Sequence, residues 1–462
     1  LTASAFSNLA LRPELLANLE TLDYLKMTPI QEQSLPLILE GRDVIAQAKT
    51  GSGKTAAFGL GLLQKLDVER FCIQSLVLCP TRELADQVAG EIRRLARGTH
   101  NVKVLTLCGG QPFGPQALSL NQGAHILVGT PGRIDDHLRK GNLQLDQVDL
   151  LVLDEADRML DMGFQETLDA IVAELPSQRQ TLLFSATFPE KITSLAARFL
   201  KDPQRITVEA GHDASSIRQH FYRLKNDSQR FAALQGLLLH LAPTSSVVFC
   251  TTRKETQEVA DRLNQAGFSA LALHGDMEQK DRDQTLVQFA NKSISILVAT
   301  DVAARGLDIA TLDAVFNYQL SLDPEVHVHR IGRTGRAGGQ GVACTLFSDE
   351  ESFRLDALAD YLQERIIPED LPPLGSGQKQ PEPAAMLTLV IDGGKKDKLR
   401  PGDILGALTA EQRLNGEQIG KIQVTARRSY VAVERKQAKL ALAQLTEGKL
   451  KGRNFRAKLL QG

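Results

Sequence analysis

The sequence predicts an α/β protein with two successive parallel sheets and a small α+β module at its end. Three observations predict this. Short, wholly apolar runs each stop at a small or polar cluster, and stretches of helical spacing separate them. The pattern runs through once and then begins again. After a Pro/Gly/Gln-rich stretch at Pro368–Pro383 the order becomes β-α-β-β-α-β, the split βαβ arrangement.

The first set comprises Val44–Ala46, Leu76–Cys79, Ile126–Val128, Leu150–Leu153 and Thr181–Phe184, with a helix expected over Glu83–Ala96. The second comprises Val247–Cys250, Ala270–Leu273, Ile296–Ala299, Val315–Asn317 and Val342–Leu346. A polar stretch around Gly211–Ser216 separates them. In the last segment strands are expected at Leu387–Ile391, Ile419–Thr425, Tyr430–Glu434 and Phe455–Leu460, with helices at Arg400–Leu408 and Lys436–Leu445. The expected domains are residues 1–210, 211–370, a linker at 371–385, and 386–462. The length of 462 residues suits about three domains at roughly 150 residues each.

Composition narrows the function classes. Hydrophobic residues make up 42% and charged residues 24%, a globular balance and not a disordered one. Aromatic residues are 5% with no Trp, which disfavours a sugar-stacking or membrane-belt platform. No apolar run reaches the roughly 18 residues needed to cross a bilayer, and Leu1–Pro13 lacks the pattern of a secretory signal. Cys72, Cys79, Cys108, Cys250 and Cys344 show no CxxC or Cys/His spacing and fall mostly in apolar runs. They are expected to be reduced in a cytoplasmic protein, with no zinc. The net charge of −1 conceals an asymmetry. Residues 386–462 hold 16 Lys/Arg against 7 Asp/Glu, and the remaining chain 38 against 48. A basic module on an acidic body suits nucleic acid or a membrane surface. The basic residues are spread through a strand-rich pattern without an apolar helical face, so no membrane partner is expected.

The sharpest chemical signal is Ala48-Lys49-Thr50-Gly51-Ser52-Gly53-Lys54-Thr55, placed between a strand and a helix. It fits GxxxxGK[ST] except that Ala48 replaces the first Gly. Small residues let backbone N–H groups wrap phosphates, Lys54 adds a cation, and Thr55 can ligate Mg²⁺. Asp154-Glu155-Ala156-Asp157 follows an apolar strand; one carboxylate can hold that Mg²⁺ and a neighbour can orient an attacking water. His329-Arg330-Ile331-Gly332-Arg333-Thr334-Gly335-Arg336 offers arginines to a transferring phosphoryl group. Pro80-Thr81-Arg82-Glu83, Gly109-Gly110, Thr130-Pro131-Gly132-Arg133 and Thr300-Asp301 are hydroxyl-bearing, cationic or small groups at strand ends. Such groups bind phosphodiester oxygens without reading bases.

These motifs, in this order, make the first 370 residues resemble a DEAD-box RNA helicase core, Asp154–Asp157 being the eponymous box. The resemblance implies two RecA-like domains and ATP with Mg²⁺ as cofactors, the metal held by Thr55 and Asp154. It implies that Gln31 of Thr28-Pro29-Ile30-Gln31 reads adenine and that Tyr24 stacks on it. Asp23 stands where the family usually has Gly. Family phosphate loops carry Ala at the Ala48 position. By the same resemblance Ser185-Ala186-Thr187 couples ATP to strand separation, Thr300 touches RNA, and Asp308 touches nucleotide. Arg333 and Arg336 are the arginine fingers, and Glu155 positions water with help from His329.

The final β-α-β-β-α-β module suggests an RNA-recognition-motif-like fold. Ile391–Lys396, Arg400–Asp403, Ile419–Ile422 and Lys449–Gly452 resemble the RNA-binding domain of a bacterial branch of the family acting on ribosomal RNA. That implies a 23S rRNA hairpin, in a precursor of the large ribosomal subunit, as partner. Candidate RNA contacts there are Lys395, Lys396, Lys398, Arg427, Arg428, Tyr430, Lys449, Lys451 and Arg453. Two other functions stay open: an RNA clamp or scaffold with little unwinding, and a DNA translocase on the same core.

Overall fold

The computed structural model describes residues 4–48, 51–208, 217–304, 312–335, 341–372, 380–410 and 414–460. The described residues up to 208 form one compact unit and those from 217 onward a second.

The first unit is built on a seven-stranded sheet of β1 (Val44–Gln47), β2 (Ser75–Leu78), β3 (Val104–Leu107), β4 (Ile126–Gly129), β5 (Leu150–Leu153), β6 (Gln180–Ser185) and β7 (Gln204–Thr207). Its order is β3-β4-β2-β5-β6-β1-β7 and every pairing is parallel. The strands read as unbroken apolar runs because both faces are covered. Successive residues point to opposite faces. Val44, Ala46, Val77, Val152 and Phe184 therefore join one core cluster, while Ile45, Leu76, Leu78, Leu151 and Leu183 join the other. The helix Arg82–Leu95 buries Leu84, Ala85, Val88, Ala89, Ile92 and Leu95, a helical stripe that closes the first face. At about 1.5–3 kcal/mol per fully buried aliphatic side chain, these two layers hold the strand ends in place.

The second unit carries two sheets. β8 (Ile217–Leu224), β9 (Ser246–Cys250), β10 (Ala270–Leu273), β11 (Ile296–Thr300), β12 (Ala314–Asn317) and β13 (Gly341–Ser348) form a parallel sheet in the order β10-β11-β9-β12-β13-β8. β14 (Met386–Ile391), β15 (Ile419–Val424), β16 (Ser429–Glu434) and β17 (Ala457–Leu459) form an antiparallel sheet, β15-β16-β14-β17. Helices Pro401–Thr409 and Ala438–Glu447 cover one face of it through Leu389, Ile391, Val431 and Val433. The expected α/β class, the two parallel sheets and the terminal split βαβ module are all present.

The other face of the antiparallel sheet is covered too. Val390, Tyr430 and Leu460 pack against Val287, on the helix Gln279–Ala290 of the preceding parallel-sheet region. Thr388 Oγ1 accepts from Asn291 Nδ2 at 3.1 Å and lies 2.6 Å from Ser293 Oγ. The Pro-rich stretch expected to be a linker is anchored at both described ends. Glu369 donates its backbone N–H to the Phe221 carbonyl at 2.7 Å, and Ala384 donates to Ser269 Oγ at 3.3 Å. The expected joining stretch Gly211–Ser216 lies outside the described residues.

Candidate functional site

A parallel sheet brings the carboxyl ends of all its strands to one edge, where function collects in such folds. In spatial order across the first sheet that edge carries Thr130–Arg133 after β4, Pro80–Arg82 after β2, Asp154–Asp157 after β5, Ser185–Thr187 at β6 and Ala48–Thr55 after β1. The carboxylates and the Ser-Ala-Thr motif thus lie between the cationic and hydroxyl-bearing loops and the phosphate-type loop.

The loop after β1 turns through Gly51 and Gly53, both with positive φ (83° and 94°), and enters the helix Lys54–Lys65. The backbone angle favours glycine at Gly53, and a Cβ there would meet Gln31 Nε2 at 2.5 Å and push that amide out of place. Lys49 and Thr50 lie outside the described residues. Lys54 is buried and its Nζ donates to the Ala48 carbonyl at 2.8 Å, which draws the loop around the amine. Gln31 is buried, donates Nε2–H to the Gly53 carbonyl at 3.1 Å and accepts from the Thr28 backbone N–H at 2.9 Å. It therefore both caps its own helix, Pro29–Leu39, and braces the loop. Tyr24 donates its hydroxyl to Glu91 at 2.8 Å and accepts from Arg94 at 2.9 Å. Burial, together with Glu91, raises its pKa to about 12. Asp23, where the family pattern has Gly, holds φ 57°, the left-handed region that glycine favours.

Asp154 is almost wholly buried, and its Oδ1 has no hydrogen-bond partner among the described residues. Burial raises its pKa to about 7, against the opposing pull of the Lys54 charge. A buried carboxylate oxygen without a donor, within reach of the Lys54 charge, suits a divalent cation. Glu155 adopts φ 52° and pairs with Arg158 at 2.5 Å. Asp157 Oδ2 accepts three hydrogen bonds: from the backbone N–H of Ala186 (3.1 Å) and of Thr187 (3.0 Å), and from Thr187 Oγ1 (2.9 Å). Ser185 Oγ donates to the Thr187 carbonyl at 2.7 Å. The sequence motifs point to Ser185 and Thr187 but assign Asp157 no role; its place in the acidic box is the signal that could have found it.

The remaining loops of this edge are partly spent on structure. Thr81 Oγ1 caps the helix Arg82–Leu95 by accepting from Leu84, and Arg82 faces Asp86 at 3.8 Å. Pro80 is buried, and Gly110 has φ 71°. Arg133 donates to the Gln111 carbonyl at 3.0 Å and faces Asp136 at 3.7 Å.

In the second unit, Thr300 is buried at the end of β11. His329 lies on the helix Pro324–Ile331 and the buried Arg333 just beyond it; Asp308 and Arg336 lie outside the described residues. Arg330, between them, is structural. Its guanidinium holds Asp301 through two bonds (2.6 and 2.8 Å) and reaches Asn317 Oδ1 (3.3 Å) and the Gln319 carbonyl (3.0 Å).

The terminal module places its cations on a rim. Lys395 and Lys396 donate backbone N–H groups to the carbonyls of Thr425 and Ala426 (2.8 and 3.0 Å), which joins their turn to the one bearing Arg427 and Arg428. Lys395, Lys396, Lys398, Arg427, Lys449 and Arg453 are exposed. Arg428 faces Asp392 at 3.4 Å, and Lys451 Nζ is bound to the Lys398 carbonyl (2.7 Å) and Asp403 (3.1 Å). Tyr430 corrects a sequence expectation. It is 6% exposed in the cluster with Val287, so it presents no open ring to a base. Alternation puts it on the sheet face that the helix Gln279–Ala290 covers, a docking that a strand pattern does not reveal.

Comparison with known proteins agrees with this geometry. The DEAD/DEAH box helicase family matches residues 28–195, the helicase conserved C-terminal domain residues 229–338, and the DbpA RNA binding domain residues 388–459. The ATP-dependent RNA helicase DbpA of Escherichia coli (strain K12) is 55% identical over 459 residues, covering 99% of this chain and 100% of that protein. The DEAD-box ATP-dependent RNA helicase CshA of Geobacillus kaustophilus (strain HTA426) is 42% identical over 380 residues, 82% of this chain and 81% of that one. Among solved structures, S. cerevisiae Dbp5 bound to RNA and ADP BeF3 aligns with a TM-score of 0.71 and 33% identity, over 79% of this chain and 95% of that one.

Proposed function

The chain belongs to the DEAD-box ATP-dependent RNA helicases, and on that premise we propose that its ATP hydrolysis is stimulated by RNA and directed to a 23S rRNA hairpin of a large-subunit precursor. The observation that carries the first part is the order of groups along one sheet edge, with Asp154–Asp157 and Ser185–Thr187 between the arginine- and threonine-bearing loops and the phosphate loop.

On this reading Tyr24 and Gln31 hold the adenine, and Lys54 with the amides of Gly51–Thr55 holds the phosphates. Asp154 and Thr55 would hold Mg²⁺, which neutralises charge on the β- and γ-phosphates when bound. Glu155 orients the attacking water, with His329 assisting, once it gives up Arg158. Thr81, Arg82, Gly110, Thr130, Arg133 and Thr300 hold RNA by phosphate and sugar contacts. Arg333 and Arg336 complete the hydrolytic site when RNA is bound, so turnover follows RNA occupancy. Residues 1–210 and 211–370 are the two helicase domains, 371–385 the connection and 386–462 the RNA-binding module, working in the cytoplasm.

Support for the ribosomal target comes from the match over residues 388–459 and from the exposed basic rim of Lys395, Lys396, Lys398, Arg427 and Arg453. Phosphate neutralisation by such a rim releases counterions and is salt-dependent. The test is ATPase stimulation by a panel of RNAs that includes 23S fragments, in the full-length protein and in Lys396→Glu/Arg427→Glu. A preference for one ribosomal fragment that the double variant loses supports the target. Equal stimulation by every RNA, in both proteins, contradicts it.

A further inference from the structure

The loop from Gly109 to Pro112 joins β3 to the helix Phe113–Asn121, and its own residues offer little to hold it. Gly109 and Gly110 have no side chain, and Gln111 and Pro112 are exposed. Just beyond it, the buried Gln116 donates Nε2–H to the Cys108 carbonyl at 2.9 Å, and Phe113 supplies a second anchor. The Phe113 ring stacks on the His137 imidazole, with centroids 4.0 Å apart and planes 14° from parallel. His137 belongs to the helix Pro131–Arg139 that follows Thr130, so the stack joins two of the loops at the sheet edge.

The histidine is unusual in what it lacks. It is fully buried, and neither ring nitrogen has a hydrogen-bond partner among the described residues. Buried polar groups in native proteins are nearly always satisfied, so an exception asks for an explanation. Burial, with the charges of Arg133 and Lys140 and against that of Asp136, lowers the imidazole's pKa and disfavours its charged form. A neutral imidazole is a flat plate that can lie face to face with a phenyl ring. Around it, Lys140 Nζ sits 4.0 Å and the Arg133 guanidinium 5.9 Å from the Phe113 centroid. Arg133 donates to the Gln111 carbonyl, inside the same loop.

We propose that Phe113 and His137 are positioning residues for RNA: their stack fixes the Gly109–Pro112 loop against the helix Pro131–Arg139 and thereby aims Arg133 at the RNA backbone. This rests on the reading of Gly110 and Arg133 as RNA contacts. Neither ring touches RNA itself. Loss of the stack leaves the loop held only through Gln116 and Arg133, and the carbonyl that orients Arg133 is then no longer fixed against its helix.

The test uses the full-length protein, saturating ATP and a single-stranded oligouridine titrated in an ATPase assay. Phe113→Ala and His137→Ala are each expected to raise the half-saturating RNA concentration about tenfold, the scale of one aromatic pair. The rate at saturating RNA and the KM for ATP should stay within about twofold. The double variant should be no worse than Phe113→Ala alone, because that change already removes the stack together with the ring's contacts to Lys140 and Arg133. His137→Phe, which keeps a flat ring, should behave as the parent. Unchanged RNA dependence in both alanine variants, while Arg133→Ala raises it, overturns the clamp and leaves the RNA reading standing. Additive effects in the double variant, or no rescue by His137→Phe, also overturn it. If Arg133→Ala itself leaves RNA dependence unchanged, the RNA reading of this edge falls and the clamp with it.

Discussion

Asp157→Ala isolates the link between the carboxylate box and the Ser-Ala-Thr motif. One carboxylate oxygen accepts two backbone N–H groups and a hydroxyl from Ala186 and Thr187, all at 2.9–3.1 Å. Truncation leaves those donors without their partner in a part-buried site. At about 1–3 kcal/mol for each unsatisfied group, and with water recovering part of it, the loss comes to about 3 kcal/mol, roughly a hundredfold in the population of the ordered motif. Asp157→Asn keeps one acceptor oxygen without its charge and should lose about half of that free energy, roughly tenfold in the same population. Neither change touches the contacts of Lys54 or Gln31, so ATP affinity should hold. Opening of a short RNA duplex and ATP hydrolysis, followed in parallel, give duplexes opened per ATP consumed. That ratio should fall steeply in Asp157→Ala and less in Asp157→Asn. An unchanged ratio in Asp157→Ala, or equal losses in both variants, would refute the coupling role.

Other contacts carry three further expected outcomes. Gly53→Ala places a Cβ 2.5 Å from Gln31 Nε2 at a φ of 94°. Strain alone costs about 1–2 kcal/mol, so a fluorescent ATP analogue should bind about five- to thirtyfold more weakly, and unchanged affinity would contradict the bracing by Gln31. Arg330→Ala leaves Asp301 and Asn317 without their buried partner, a loss of about 3–5 kcal/mol, while Arg330→Ala/Asp301→Asn should cost less than the sum of the two single changes in urea unfolding. His327 is buried against Phe221, and burial holds its pKa down to about 3. It stays neutral in the fold but takes a proton in the unfolded chain below about 6.5, so stability is lost as pH falls through that value, by about 1.4 kcal/mol at pH 5.5. Amide exchange at β8 should show this loss, and His327→Phe should abolish it.

The sequence made the central strands of both parallel sheets legible because burial on two faces leaves no room for polar residues. It hid β3, β7 and β8, which lie at sheet edges. β7 reads Gln-Arg-Ile-Thr and β8 reads Ile-Arg-Gln-His-Phe-Tyr-Arg-Leu, compositions in which a half-covered edge strand looks like a loop. The site was legible where its chemistry is contiguous, as in Gly51–Thr55 and Asp154–Asp157. It was illegible where function depends on residues far apart in the chain. Nothing in the local pattern announces that Asp157 holds Thr187, that Arg330 is committed to Asp301, or that Phe113 lies on His137. Tyr430 shows the same limit from the other side. A strand aromatic in a basic module reads as a base-stacking surface, and tertiary docking against Val287 decides otherwise.

In the proposed mechanism the hydrolytic site lacks its arginines until RNA occupies the protein. Steady-state ATP hydrolysis with and without a saturating single-stranded RNA, and with the matching DNA strand, tests this most directly. The expected result is slow turnover alone or with DNA and a large acceleration by RNA, since 2′-hydroxyl contacts separate the two strands. Equal turnover in the absence and presence of RNA would contradict it.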